Sequence, residues 1–113
     1  MNAFNKRNGN ELSSSVVVAV GLIKRMKGLL GRKKLEMGES LWLRPCNSIH
    51  TIGMKFPIDA VFMDRHNVVV RAREGLPPNR MTGLYVRAAS VLELPAGTLA
   101  ATDTRIGDRI EIS

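Results

Sequence analysis

The sequence predicts an α+β domain dominated by β structure, a small β-barrel or sandwich of short strands with one or two short helices. Three observations lead there. Runs of β-branched or alternating apolar residues recur along the chain, turn chemistry built from Gly, Pro, Asn and Asp separates them, and helical periodicity is confined to short stretches. The helices are too few to cover both faces of a parallel sheet, so a parallel βαβ architecture is the less favoured arrangement.

Residues 1–14 are polar, rich in Asn, Ser and Gly, and show no apolar period, so they are expected to form a flexible N-terminal arm ahead of one domain spanning residues 15–113. Val16, Val17, Val18, Ala19 and Val20 make an almost unbroken β-branched run, as in strands covered on both faces. Past Gly21 the period becomes helical, with Leu22, Met26, Leu29 and Leu30 on one side and Lys24, Arg25 and Lys27 on the other; Gly31 is placed to end that helix in a left-handed conformation. Residues 39–44 alternate, setting Leu41 and Leu43 against Trp42 and Arg44, and Pro45 ends or bends the strand.

Residues 58–63 are apolar at nearly every position, 64–67 supply a turn, and 68–73 return as a second strand, which together predict a β-hairpin. Simple alternation puts Val68, Val70 and Ala72 on one face and Val69, Arg71 and Arg73 on the other. Residues 75–83 have the composition of an exposed loop. Residues 84–87 and 90–94 are strand candidates, the second closed by Pro95 and Gly97, with a short helical turn through Ala101. Ile110 and Ile112 alternate with Arg109 and Glu111 in a last half-buried strand.

A chain of 113 residues closes one hydrophobic core, and 44% apolar with 24% charged residues is the composition of a soluble globular protein that folds without a cofactor. Cys46 is the only cysteine, which rules out an intrachain disulfide and a multi-cysteine zinc site and fits a reducing compartment; the expected localisation is cytoplasmic. The longest apolar run, residues 16–23, is far shorter than the roughly 20 residues a membrane-spanning helix needs. Lys6 and Arg7 ahead of it imitate a signal peptide, but Lys24, Arg25 and Lys27 stand where a small-residue cleavage site should lie.

The net charge of +7 sits wholly in residues 1–56, where ten Lys or Arg face three acidic residues, while residues 57–113 hold seven of each. Six of the cations fall within residues 24–34 and are read as a solvated helix face, with a patch for phosphate or anionic lipid as the alternative.

Residues 45–59 gather nearly every chemically versatile side chain of the protein: Cys46, Ser48, His50, Thr51, Met54 and Asp59. A site is expected there. The run His50-Thr51-Ile52-Gly53-Met54 leading into Pro57-Ile58-Asp59-Ala60-Val61-Phe62 is preceded by Gly28-Leu29-Leu30-Gly31-Arg32 and followed by Val91-Leu92-Glu93-Leu94-Pro95-Ala96-Gly97 and Gly107-Asp108. In these motifs and their order the chain resembles the bacterial and archaeal family called domain of unknown function 192, across roughly residues 15–113. The resemblance implies a small β-rich domain with no established activity, cofactor or substrate. Many members are similar in carrying an export or lipoprotein signal, and this chain departs from them in showing no clear one.

Three chemistries suit the segment. Nucleophilic catalysis would use Cys46 or Ser48 with His50 as base and Asp59 as its orienter. In an extended chain Cys46 stands roughly 13 Å from His50 at about 3.3 Å per residue, so only a turn could join them, whereas Ser48 and His50 share a face. No nucleophile elbow surrounds them. Metal ligation by Cys46, His50 and Met54 is similar to a blue-copper loop but lacks its second histidine, since His66 lies in the later turn. A polar pocket of Ser48, His50, Thr51 and Asp59 with apolar walls at Met54 and Trp42 requires least. Against all three stands a purely structural role, His50 bonding a neighbour and Ser48 and Thr51 satisfying backbone groups near a bend.

Glu93 interrupts the apolar run 91–94; alternation sets it with Val91 against Leu92 and Leu94, and it is expected to face outward. Five aromatic residues that do not interleave with the cations give no support for a specific nucleic-acid reader, leaving non-specific phosphate attraction. The sequence therefore leads to a non-enzymatic binding or accessory module around His50 and Asp59, its partner a small ligand or a protein. An unrecognised hydrolase at the same residues is the alternative, and weak metal or non-specific nucleic-acid binding a further one.

Overall fold

In the computed structural model, residues 1–21, 29 and 31–113 are described, and they form eight strands and one short helix. β1 (Ala3–Asn5), β2 (Glu11–Ser13) and β8 (Ile110–Ile112) make a three-stranded sheet in the order β2-β1-β8. β3 (Ser15–Val20), β4 (Glu39–Arg44), β5 (Ile58–Met63), β6 (Val69–Leu76) and β7 (Ser90–Pro95) make a five-stranded sheet in the order β3-β4-β7-β5-β6, and α1 (Thr98–Thr102) follows β7. The fold is predominantly β and sandwich-like, and the two sheets do not close into a barrel. The amphipathic helix expected past Gly21 lies largely outside the described residues, as do Lys24, Arg25 and Lys27, three of the six clustered cations.

The near-continuous apolar runs 58–63 and 90–95 become the inner strands β5 and β7, buried at every position because both faces of the sheet are covered. One face packs on the three-stranded sheet and α1: Val16, Trp42, Val61, Met63, Leu92 and Leu94 meet Ala3, Leu12, Leu99 and Ile110. The other face carries Leu41, Leu43, Ile58, Ala60, Phe62 and Val91, and is closed by Leu29 and by Ile49, Met54 and Ala88 from irregular segments of chain. Leu41 and Leu43 thus lie opposite Trp42, as alternation in the sequence requires.

Several expectations change. Residues 1–14 are not a loose arm: β1 pairs antiparallel with β8, and Ala3, Asn5, Leu12 and Ser13 are buried. Too short to show a period, these strands are held by pairing with the far end of the chain, which local sequence does not report. Strand 16–20 is not covered on both faces; among the described strands β3 is an edge strand paired with β4, and Val17 and Val20 are each 58% exposed. The β3–β4 pair is parallel, so the chain crosses over between them.

The β5–β6 hairpin forms as expected, but register shifts break the alternation of β6. Val69 and Ala72 join the core toward the small sheet while Val70 joins the opposite one. Residues 84–87 do not form a strand. Of these four only Tyr85 packs on the outer face of the large sheet.

Candidate functional site

The chain leaves β4 through a cis Arg44–Pro45 bond, and residues 46–54 then run beside residues 77–85. Polar groups join the two segments at successive points. The Cys46 amide donates to the Ala89 carbonyl, Tyr85 N–H to Asn47 O, Thr82 N–H to Ile49 O, and Thr51 N–H to Arg80 O. Thr82 Oγ1 accepts from Ile49 N–H at 2.9 Å, and Asn79 Oδ1 from Gly53 N–H at 3.1 Å. The Thr51 hydroxyl is fully buried, donates to Pro77 O at 2.6 Å and accepts from Arg80 N–H at 2.9 Å. Ile49 and Met54 point into the core beneath, so the paired segments form a pinned cover over one face of the large sheet.

The residues singled out in the sequence are divided by this arrangement. Ser48 and His50 are exposed, and the Cys46 thiol donates to the Ser48 carbonyl at 3.0 Å. Thr51 and Met54 hold the cover in place. Asp59 lies elsewhere: Ile58 and Ala60 face the covered side, so Asp59 faces the other, toward α1. There it is fully buried, its Oδ2 accepting from Leu99 N–H at 2.9 Å and Gly97 N–H at 3.1 Å, its Oδ1 from Gly75 N–H at 2.8 Å. Gly97, at φ +95°, begins α1 without a side chain to cap it, and Asp59 takes that role from a neighbouring strand. His50 and Asp59 therefore stand on opposite sides of one sheet. Among the described residues no three His, Cys, Asp or Glu side chains gather as a metal site.

Glu93 is the polar group that the covered face does contain. It pairs with Leu41 on one side and Ala60 on the other, shares its face with Val91, and is only 4% exposed. The expectation that it faces outward is overturned. Alternation does set Glu93 with Val91, but that side is itself buried by the paired segments. Among the described residues its carboxyl has no hydrogen-bonding or ionic partner, and burial pushes it up to about 7.

Cations lie on the same sheet without reaching it. Arg73 pairs with Ala60 from the far side, two strand spacings or about 10 Å from Glu93 at the backbone. Its Nη1 donates to the Tyr85 hydroxyl at 3.2 Å, and the Tyr85 ring meets Phe62 edge-on at 4.7 Å and lies 5.4 Å from the Arg71 guanidinium. The signal for Glu93 was present in the sequence as an acid inside an apolar run. Its orientation was not.

The two-sheet β architecture and these motifs converge on one family. A family model covers residues 3–112, nearly the whole chain, and the protein belongs to that family, DUF192, described as Uncharacterized ACR. Two solved structures share the fold. One, from Novosphingobium aromaticivorans, is of a protein of unknown function: TM-score 0.85, 18% identity, covering 98% of this chain and 82% of that one. The other, from Sinorhizobium meliloti, is of a candidate transcription regulator: TM-score 0.84, 22% identity, covering 97% and 89%. At such identities the likeness is one of fold. No curated protein matches the chain. Among the described residues no helix is long and apolar enough to cross a membrane.

Proposed function

We propose that the protein is a non-enzymatic binding module whose site is the covered face of the five-stranded sheet, centred on Glu93, with residues 46–54 as its wall. The ligand is a small molecule or partner side chain that donates hydrogen bonds or carries positive charge. One observation carries this reading: a carboxyl group enclosed by apolar neighbours, with no partner among the described residues. Buried carboxyls are ordinarily hydrogen-bonded or paired, and one that is not is complementary to an incoming donor. Ser48 and His50 sit on the exposed side of the same segment, where a ligand entering beneath it would pass.

A hydrolase is less well supported by the same geometry, because Asp59 serves α1 and the Cys46 thiol is engaged by the Ser48 carbonyl. A protein partner is favoured by a separate observation. Met81, 72% exposed, and Val86, 83% exposed, stand with Ile52 and Leu84 as outward apolar side chains on the paired segments.

The test is an NMR titration of the Glu93 carboxyl with butylamine and methylguanidine, in wild type and Glu93→Gln. A saturable shift at Glu93 and along residues 46–54, lost in the variant, is the expected result. A carboxyl signal indifferent to both amines would sink the proposal.

A further inference from the structure

On the opposite face of the large sheet, beyond the reach of the small sheet, the strands end in a cleft of about 560 Å³. The pairing registers account for it. Val20 pairs with Arg44, continuing the β4–β7 register past Leu43 and Val91 brings Arg44 opposite Ser90, and Ser90 pairs with Met63. This last row of side chains lies next to the row containing Trp42 and Leu92, and the β5–β6 turn supplies the far wall through Asp64, Arg65 and Asn67.

Three properties of the cleft fit one kind of occupant. Trp42 and Ser90 line it, and just beneath the surface their Nε1 and Oγ atoms are buried with no hydrogen-bond partner among the described residues, although such atoms are almost always paired in folded proteins. An indole N–H only donates, so the group it would serve is an acceptor.

The charge around the cleft is positive. The Arg44 guanidinium is stacked 4.3 Å from the centre of the Trp42 ring, Arg65 lines the turn, and neither forms an ion pair among the described residues. Asp64 offsets one of the two, leaving an excess of one positive charge on the lining, and its carboxylate is itself engaged. Its Oδ1 is occupied by the N–H groups of His66 and Val68 at 2.8 and 3.0 Å, and Arg87 lies within electrostatic reach of it. Lastly, Val20, the Trp42 ring and Ala89 give the cleft apolar walls, and its volume falls within the range of small-molecule sites.

We propose that this cleft binds a small organic carboxylate, its carboxyl oxygens received by Trp42, Ser90 and Arg44 and its hydrocarbon part by the apolar walls. The site is independent of Glu93, which lies across the sheet and would attract the opposite charge.

The protein carries its own probe, since Trp42 is the only tryptophan in the chain. The experiment titrates the purified full-length protein with cyclohexanecarboxylate, and in parallel with neutral cyclohexanecarboxamide and with inorganic phosphate, following Trp42 emission and the indole N–H resonance. The proposal expects saturable changes in both signals with the carboxylate, and affinities at least about tenfold weaker for the other two. Arg44→Gln and Ser90→Ala should each weaken carboxylate binding at least about fivefold with an unchanged circular dichroism spectrum. Arg65→Gln, an exposed turn position, serves as a second charge variant that leaves the sheet untouched. The proposal is overturned if the carboxylate leaves the indole N–H unmoved, if the amide or phosphate binds as tightly, or if none of the variants weakens binding.

Discussion

Arg7 and Asp108 meet although they stand 101 positions apart, Arg7 Nε donating to Asp108 Oδ1 at 2.7 Å. Asn5 Nδ2 and Arg105 N–H both donate to Oδ2 of the same carboxylate, at 2.8 and 3.0 Å, so one buried acid ties β1 to the turn that precedes β8. The Arg7 hydrogen bond, helped by Asn5 and opposed by burial, holds Asp108 down to about 2. Because the folded state keeps this group ionised below its ordinary value of 3.8, its contribution is present above about pH 4 and is lost as pH falls through about 2. Asp108→Asn should lower stability at pH 7 by about 2 kcal/mol and flatten the acid limb between those limits, measured by urea unfolding across pH.

Glu93 shifts the other way. Burial raises it from 4.5 to about 7, so folding favours its neutral form; the stabilisation is full below about pH 4.5 and is lost as pH rises through about 7. Glu93→Gln keeps the shape and removes the charge. It should be more stable than wild type at pH 8 by up to about 3 kcal/mol, with the difference vanishing near pH 4. Equal stability of the two proteins at both pH values would show that Glu93 is neither enclosed nor unpaired.

Asp59→Ala would leave the N–H groups of Gly75, Gly97 and Leu99 without their acceptor, two of them at the start of α1. A loss of at least about 3 kcal/mol is expected, with Asp59→Asn intermediate because it retains one acceptor oxygen. Hydrogen exchange should show the Leu99 amide opening first in both.

Thr51→Val preserves volume but deprives Pro77 O and Arg80 N–H of the hydroxyl that joins them. The expected cost is about 1–2 kcal/mol, with faster amide exchange along residues 46–54 and 77–82 while β5 and β7 remain protected. His50→Ala, at an exposed position of the same segment, should stay within about 0.5 kcal/mol of wild type. A larger loss at His50 than at Thr51 would mean that the imidazole, not the hydroxyl, anchors the cover.

What the sequence determined by itself was the local part of this protein. Period and turn chemistry located β4, the β5–β6 hairpin, β7, the helical turn of α1 and β8, because each of those signals is written within a few neighbouring residues. The sequence also drew attention to residues 45–59, of which 46–54 cover one face of the sheet while Ile58 and Asp59 belong to β5.

Tertiary structure decided the rest, and the reason is the same in each case. β1 and β2 exist through pairing with distant β8; β3 is an edge because of where it sits in the strand order; Glu93 is buried because irregular segments, which carry no period, lie over its side of the sheet. His50 and Asp59, nine positions apart, are separated by the thickness of a sheet, whereas Trp42 and Ser90, far apart in sequence, line one cleft. Alternation fixes which residues share a face of a strand, but which face is covered, and by what, is settled only when distant segments pack.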